Sequence, residues 1–526
     1  MANTVTTPWG RDIEQTLVRG HPCRVYRHRP RSVAELLLDA QRWESRECIV
    51  EGQRRLTFGA FAQAVERVAH FLARNGAGRG SRVVLLAYNS VEWLAAFWAI
   101  QKLGSIAVLA NAWWSPDEGR AALADVGPSL VLADHLEKRA LDREERILDI
   151  TTLRAIVDSP ELPLLSAPIQ VDEDDVAVIM FSSGTTGRPK GVMLSHRGLV
   201  ANIHNLLILT GRLPNELDPG FPGTISLLTV PLFHLAGIQI SLSTLLSGGK
   251  LVLLAGRFDA QAVLELIERE RVRVWGSIPT MVSRVLAHAE FGRFDVSSVR
   301  SIPMGGAAIP PALRDQVRRA FPSVRKSVGS LYGCTEAGGV IAAGSADDLQ
   351  NRPGCVGRPL PVVEIKIAKP NEDGIGEIQV RTPTATLGYL NDATPVADTD
   401  GWIGTGDLGS LRDGYLYLNG RSKDIVIRAG ENIACSHVEH CIGDHPAVRE
   451  VAVIPLPHPD LGEEVAAVVV FRAGLHADKE ELAAHAASRL GKFEVPSRWW
   501  LRSRPLPTNA AGKVAKAELR ADWQGD

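Results

Sequence analysis

Cysteine is scarce, six residues in 526 (Cys23, Cys48, Cys334, Cys355, Cys435 and Cys441), and none stands in a Cys-x-x-Cys pair. That excludes a zinc ribbon or a disulfide framework and suits a reducing cytosol. Long Lys/Arg blocks are also missing and the formal net charge is −2, so nothing favours nucleic acid as a partner. The first ten residues carry neither a basic region nor an apolar one, and a cytoplasmic protein is expected. From Pro219 to Gly249 there is no Lys, Arg, Asp or Glu. Pro222, Pro231, His234 and several Gly, Ser and Thr interrupt that run, so a buried strand, loop and helix are expected there, not a membrane span. Internal repeats and low-complexity segments are absent. With 45% hydrophobic and 22% charged residues, the chain is globular and long enough for about three or four domain-sized units.

The strongest local signal is the apolar run Val176–Met180 followed by Phe181-Ser182-Ser183-Gly184-Thr185-Thr186-Gly187-Arg188-Pro189-Lys190-Gly191. Glycines let the backbone approach an anion, while the hydroxyls of Ser182, Ser183, Thr185 and Thr186 and the cation of Lys190 add donors. The run is neither a Walker A loop nor a Gly-x-Gly-x-x-Gly turn, yet it suits a nucleotide triphosphate.

Helical periodicity spans Phe58–Asn75, with Phe61, Val65, Val68, Ala69 and Leu72 on one face. Short runs that are apolar on both faces, Val83–Ala87, Ile106–Ala110, Leu130–Ala133 and Leu251–Leu254, alternate with helical patterns, as buried parallel strands do. The predicted class is α/β with layered sheets. After about residue 350, short alternating strands (Glu364–Ile367, Glu377–Arg381) predict a smaller antiparallel region. A further boundary is expected near Gly420–Asp424. Beyond it, strands at Val451–Ile454 and Val465–Phe471 and a helix at Lys479–Arg489 form a small α+β unit. The division is 1–419 and 420–526.

Past the Gly-rich loop come Pro231-Leu232-Phe233-His234-Leu235-Ala236-Gly237, Tyr332-Gly333-Cys334-Thr335-Glu336, Thr405-Gly406-Asp407-Leu408, Gly420-Arg421-Ser422-Lys423-Asp424 and Gly512-Lys513, in that order. The set resembles the adenylate-forming superfamily: acyl- and aryl-CoA ligases, peptide-synthetase adenylation domains and luciferases. The resemblance runs from near Phe58 to Lys513 and is strongest to acyl-CoA synthetases.

It implies an acyl adenylate made from a carboxylate and MgATP, then passed to the thiol of coenzyme A. By resemblance Ser182, Ser183, Gly184, Thr185, Thr186, Gly187 and Lys190 hold the β- and γ-phosphates, Glu336 holds Mg²⁺, and Thr335 meets the α-phosphate. Tyr332 stacks on adenine beside Gly305, Gly306, Ala307 and Ala308, with Gly333 adjoining. Asp407 and Arg421 take the ribose, since an ionised carboxylate only accepts hydrogen bonds and the sugar offers two hydroxyls. Lys513 contacts the attacking carboxylate and the α-phosphate, His234 gates the substrate carboxylate, and Lys423 is the hinge of a mobile C-terminal lid. The acyl pocket is expected from Gly237, Ile238, Trp275, Gly306 and Val340, a mostly apolar set that implies a hydrophobic acid. Gly430 and Glu431 lie in the thiol-transfer region.

Each residue has a plainer alternative: a structural histidine at 234, a turn aspartate at 407, and solvated surface lysines at 423 and 513. The order and spacing of the motifs favour the site. No aspartate stands where amino-acid-activating domains place one, which argues against an amino-acid substrate. The segment Arg428–Glu439 departs from the family pattern, with Ala429 for a second glycine, Cys435 for proline and His437 for glutamate. It leaves open an acyl carrier protein as acceptor, or a single half-reaction. A homodimer is compatible with the resemblance. A kinase-like phosphotransferase with Asp407-Leu408-Gly409 at the metal is the remote alternative; no His-Arg-Asp loop accompanies it.

Overall fold

The computed structural model describes residues 9–135, 146–182, 189–218, 220–306, 309, 311–324, 329–352, 354–421, 424–428, 431–459, 461–508 and 513–525. The runs expected at Val83–Ala87, Ile106–Ala110 and Leu130–Ala133 become neighbouring parallel strands Arg82–Leu86, Ile106–Leu109 and Leu130–Ala133. Val176–Ser182 adds to them in parallel, and Lys190–Ser195 and Gly388–Tyr389 continue the seven-stranded sheet antiparallel. Val83, Leu85, Ala107 and Leu109 enter the main core, while Val84, Leu86 and Val108 enter a second core on the opposite face. Burial on both faces is why these strands read as unbroken apolar runs.

Lys250–Leu253, the strand expected at Leu251–Leu254, lies in a separate five-stranded sheet with Val274–Gly276, Ile225–Leu228, Glu47–Glu51 and Arg54–Thr57. Between the sheets runs the helix Val91–Lys102, whose every residue is buried. Its Lys102 ammonium meets Glu66 at 2.5 Å from the neighbouring helix Phe58–Arg74. The uncharged stretch 219–249 forms the strand Ile225–Leu228 and the helix Leu235–Leu246, and among the described residues no helix is long and apolar enough to cross a membrane.

The antiparallel region starts earlier than its composition suggests. Ser330–Cys334 and Gly339–Gly344 already belong to the eight-stranded sheet that continues through Tyr415–Arg421, Ile403–Arg412, Gly376–Arg381 and Glu364–Ala368. Sheet membership changes between Arg421 and Ile425: the strand Ile425–Arg428 pairs with Glu431–Ala434 and joins a five-stranded sheet built on the long hairpin Val448–His458 and Gly462–Phe471. Helices Cys435–Gly443 and Lys479–Ala487 cover one face of that sheet, and Lys516–Ala521 covers the other.

Candidate active site

The parallel strands of both large sheets deliver their C-terminal ends to one region, the usual place for ligands in such folds. Asn89, just beyond Arg82–Leu86, ties the sheets together there. Its side-chain amide donates to the Val230 carbonyl at 3.0 Å, and its oxygen accepts from the Leu232 N–H at 2.8 Å. At the same edge Ser182 and Lys190 are cross-strand partners, closing a hairpin whose connecting residues, Ser183 to Arg188, lie outside the described residues. Trp114 packs edge-on against Phe181 at the base of this hairpin, with ring centres 4.7 Å apart.

Thr335 and Glu336 stand half-buried on the turn between Ser330–Cys334 and Gly339–Gly344. The turn is tight: Gly338 (φ +70°) lies so close to the Thr384 carbonyl that a Cβ would sit 1.7 Å from it, so only glycine serves. One segment, Thr384–Leu390, holds the turn by three bonds. Thr384 Oγ1 donates to the Ala337 carbonyl (2.5 Å), the Thr386 N–H donates to the Glu336 carbonyl (2.9 Å), and the Tyr389 hydroxyl donates to Glu336 Oε1 (3.2 Å). The Lys190 ammonium stands 5.2 Å from the centre of the Tyr389 ring, in cation–π range.

Tyr332 is buried and donates its hydroxyl to Asp407 Oδ2 at 2.8 Å, with Thr405 Oγ1 at 3.3 Å. Burial and the Asp407 charge push its acidity far down, so it stays a donor. Three strands lie between those carrying Tyr332 and Asp407, a separation of about 19 Å in a flat sheet. The direct bond therefore requires the sheet to curl back on itself. Asp407 and Arg421 are cross-strand partners; the Arg421 side chain is outside the described residues. Gly306 has φ +77° and its nearest would-be Cβ neighbour is Ile278 at 3.6 Å, so the turn beside Tyr332 and Gly333 is open to a flat group. Ala307 and Ala308 lie outside the described residues.

His234 precedes the helix Leu235–Leu246, half-buried, with Phe233 and Trp113 rings 4.8 and 6.4 Å from its own. Burial, then the positive charge of Lys513, pushes its pKa down to about 4, so the imidazole is neutral at ordinary pH. Its Nε2 is buried without a hydrogen-bond partner among the described residues. The Lys513 charge reaches His234 from the small C-terminal unit, and the strand bridge Thr508–Val514 anchors the segment that carries the lysine.

The expected acyl-pocket residues divide. Gly237 is required by packing, since a Cβ would lie 2.2 Å from the Pro231 carbonyl oxygen. Trp275 is completely buried, its indole N–H donating to Thr229 Oγ1 at 3.0 Å. Ile238 lies in the core between the large sheets and Val340 in the core of the eight-stranded sheet. The Gln239 amide links these regions by donating to Asn202 Oδ1 (2.6 Å), next to Gly339.

The expected hinge residue Lys423 and the thiol-transfer residue Gly430 fall outside the described residues, and Glu431 is described only as a backbone partner of Arg428. Cys435 is buried, and burial pushes its thiol up to about 12, so it is held as the neutral thiol. Beside it Lys516 pairs with Glu439 (2.8 Å) and Asp424 (3.3 Å), three residues past Lys513.

Tyr389, Asn89, Trp113 and Lys516 were not singled out in the sequence. A faint signal existed for Trp113-Trp114, an aromatic pair at the end of a parallel strand. The others depend on contacts between distant segments.

This geometry belongs to a known family. The sequence model of the AMP-binding enzymes matches residues 38–390, and that of their C-terminal domain matches residues 437–513. The chain is a member of the AMP-binding, adenylate-forming enzymes, and an AMP-forming acid–thiol ligase. Among its relatives is a feruloyl-CoA synthase from an Amycolatopsis species, 34% identical over 89% of this chain and 94% of that one. An indoleacetate–CoA ligase from Aromatoleum aromaticum is 32% identical over 89% and 93%. Among solved structures, ATP-bound MatB from Rhodopseudomonas palustris superposes with a TM-score of 0.82 at 27% identity, over 93% of this chain and 99% of that one.

Proposed function

We propose that the protein activates a hydrophobic, non-amino carboxylic acid as its acyl adenylate and transfers the acyl group to coenzyme A in the cytoplasm. The observation that carries this is the neutral His234, whose buried Nε2 has no partner among the described residues and whose ring feels the charge of Lys513. A neutral imidazole beside a cation can hold a carboxylate without adding charge that would need neutralising later. Trp113 and Phe233 make the surroundings apolar, and relatives named for ferulate and indoleacetate are consistent with such an acid.

In the first step a carboxylate oxygen attacks the α-phosphorus as the bond to pyrophosphate breaks. Lys513 stabilises the charge gathering on the α-phosphate and Thr335 donates to it. The Ser182–Lys190 hairpin holds the leaving phosphates. Tyr332 and the Gly306 turn receive adenine, while Asp407, braced by the Tyr332 hydroxyl and flanked by Arg421, accepts from the ribose. Mg²⁺, a hard cation suited to the half-buried Glu336 carboxylate, would supply charge neutralisation on the phosphates. In the second step the thiol loses its proton, sulfur bonds to the acyl carbon, and AMP leaves. Rotation of residues 420–526 about Lys423 would replace Lys513 by the Gly430–Glu431 segment between the steps.

The altered residues Ala429, Cys435 and His437 favour keeping a second acceptor, an acyl carrier protein, in view. Incubation with MgATP, CoA and a panel of hydrophobic acids, followed by mass spectrometry of AMP, acyl adenylate and acyl-CoA, tests the reading. Acid-dependent AMP and acyl-CoA are expected. Adenylate without acyl-CoA would move the acceptor to the carrier protein, and ADP in place of AMP would overturn the reading.

A further inference from the structure

Tyr389 lies outside the family motifs above, yet it touches two of them. Its strand pairs with the one leaving the Gly-rich hairpin: Leu387 and Leu390 N–H groups donate to the Met193 and Gly191 carbonyls at 2.8 and 2.7 Å, and Thr386 Oγ1 donates to the Met193 carbonyl at 2.8 Å. The same segment grips the Glu336 turn by the three bonds already given. From the opposite side the N-terminal hairpin secures it, Arg19 donating to the Thr386 and Ala385 carbonyls at 2.7 and 3.1 Å. The segment is thus fixed on three sides, and the Tyr389 phenol projects from it with its hydroxyl on Glu336 and its ring under Lys190.

We propose that Tyr389 is a positioning residue that fixes the Glu336 carboxylate and seats Lys190 before nucleotide arrives, so that the metal carboxylate and the phosphate cation are set at a constant separation. A phenol keeps its proton at neutral pH, so at this distance its hydroxyl donates to the carboxylate oxygen. A neutral donor engages one carboxylate oxygen and leaves the other for a cation. The ring spreads under the exposed Lys190 ammonium and limits its wandering. The inference rests on the reading of Glu336 as the metal carboxylate.

Tyr389→Phe removes the hydroxyl and keeps the ring; Tyr389→Leu removes both. Binding of an ATP analogue with a methylene bridge between the α- and β-phosphates is titrated by calorimetry with and without Mg²⁺, alongside the Mg²⁺ dependence of adenylation and the thermal midpoint. For Tyr389→Phe the half-saturating Mg²⁺ rises about 10-fold or more, as expected for loss of one hydrogen bond to a charged group, with metal-free analogue binding and the midpoint unchanged. Tyr389→Leu also weakens metal-free binding, by about threefold. Acyl transfer from supplied acyl adenylate to CoA stays at the parent rate in both. Glu336→Gln separates the two ideas. If it shifts the Mg²⁺ dependence and Tyr389→Phe does not, the positioning role is overturned. If Glu336→Gln itself leaves the Mg²⁺ dependence unmoved, the assignment of Glu336 fails instead.

Discussion

The Tyr332 hydroxyl donates to Asp407 Oδ2 at 2.8 Å across a curled sheet, binding the residue read as the adenine platform to the one read as the ribose acceptor. Removing the donor takes one hydrogen bond from a buried carboxylate. Tyr332→Phe is expected to raise KM for ATP about 3- to 10-fold and to lower stability by about 1–2 kcal/mol. Steady-state kinetics and urea unfolding check both; an unchanged KM with lost stability would make the bond purely structural.

Lys513→Ala should suppress adenylation by about 100-fold or more while transfer from supplied acyl adenylate to CoA remains, because the ammonium acts on the first transition state only. Separate assays of the two half-reactions decide this, and equal losses in both would contradict it.

Two fully buried histidines away from the site set an acid limit on stability. His196 Nδ1 accepts from the Val33 N–H at 3.2 Å and His204 stacks on Tyr26 at 3.8 Å. Burial pushes the first down to about 4 and the second to about 3. Below the unfolded value of about 6.5 the unfolded chain takes up protons that the folded chain refuses, so stability falls as pH drops from about 6.5 towards 4. Each group contributes a slope of at most about 1.4 kcal/mol per pH unit. Urea midpoints between pH 7 and 4.5 measure it, and His204→Gln should flatten the curve.

Lys516→Met strands Glu439, which is half-buried and also accepts from the Val453 N–H at 2.8 Å. A loss of about 3 kcal/mol from the small C-terminal unit is expected, with Lys516→Arg restoring most of it. Hydrogen exchange resolved by segment should show the loosening beyond residue 424 and little change in the large sheets.

Gly237→Ala drives a methyl into the Pro231 carbonyl and must displace the start of the helix that follows His234. Adenylation should fall at least about 10-fold with a lower thermal midpoint. An active, stable variant would show that the loop can yield.

The layered sheets were legible because Val83–Ala87 and its neighbours are buried on both faces, a condition that composition alone records. The ordered motifs at His234, Tyr332, Glu336, Asp407 and Lys513 were legible because phosphate and sugar recognition confines residue type. Tyr389 was not, since its meaning comes from a turn 53 residues away. Gly237 was legible as special but not for its reason: the space that its missing side chain leaves is taken by backbone. The edge of the antiparallel sheet reads too late in the sequence because Ser330–Cys334 and Gly339–Gly344 contain none of the Pro and Asp that punctuate the chain after residue 350.

Gly388–Tyr389 is the outermost strand beside Lys190–Ser195, and the ribosome delivers it long after the strand it covers. At about 5–20 residues per second, the wait from Ser195 to Gly388 is about 10–40 s. Throughout that interval the nascent chain has an uncapped strand edge, the kind of surface on which chains aggregate. Arrival of the Tyr389 hydroxyl on Glu336 and closure of that edge are one event, so a chain stalled or truncated before residue 388 should be both inactive and sticky.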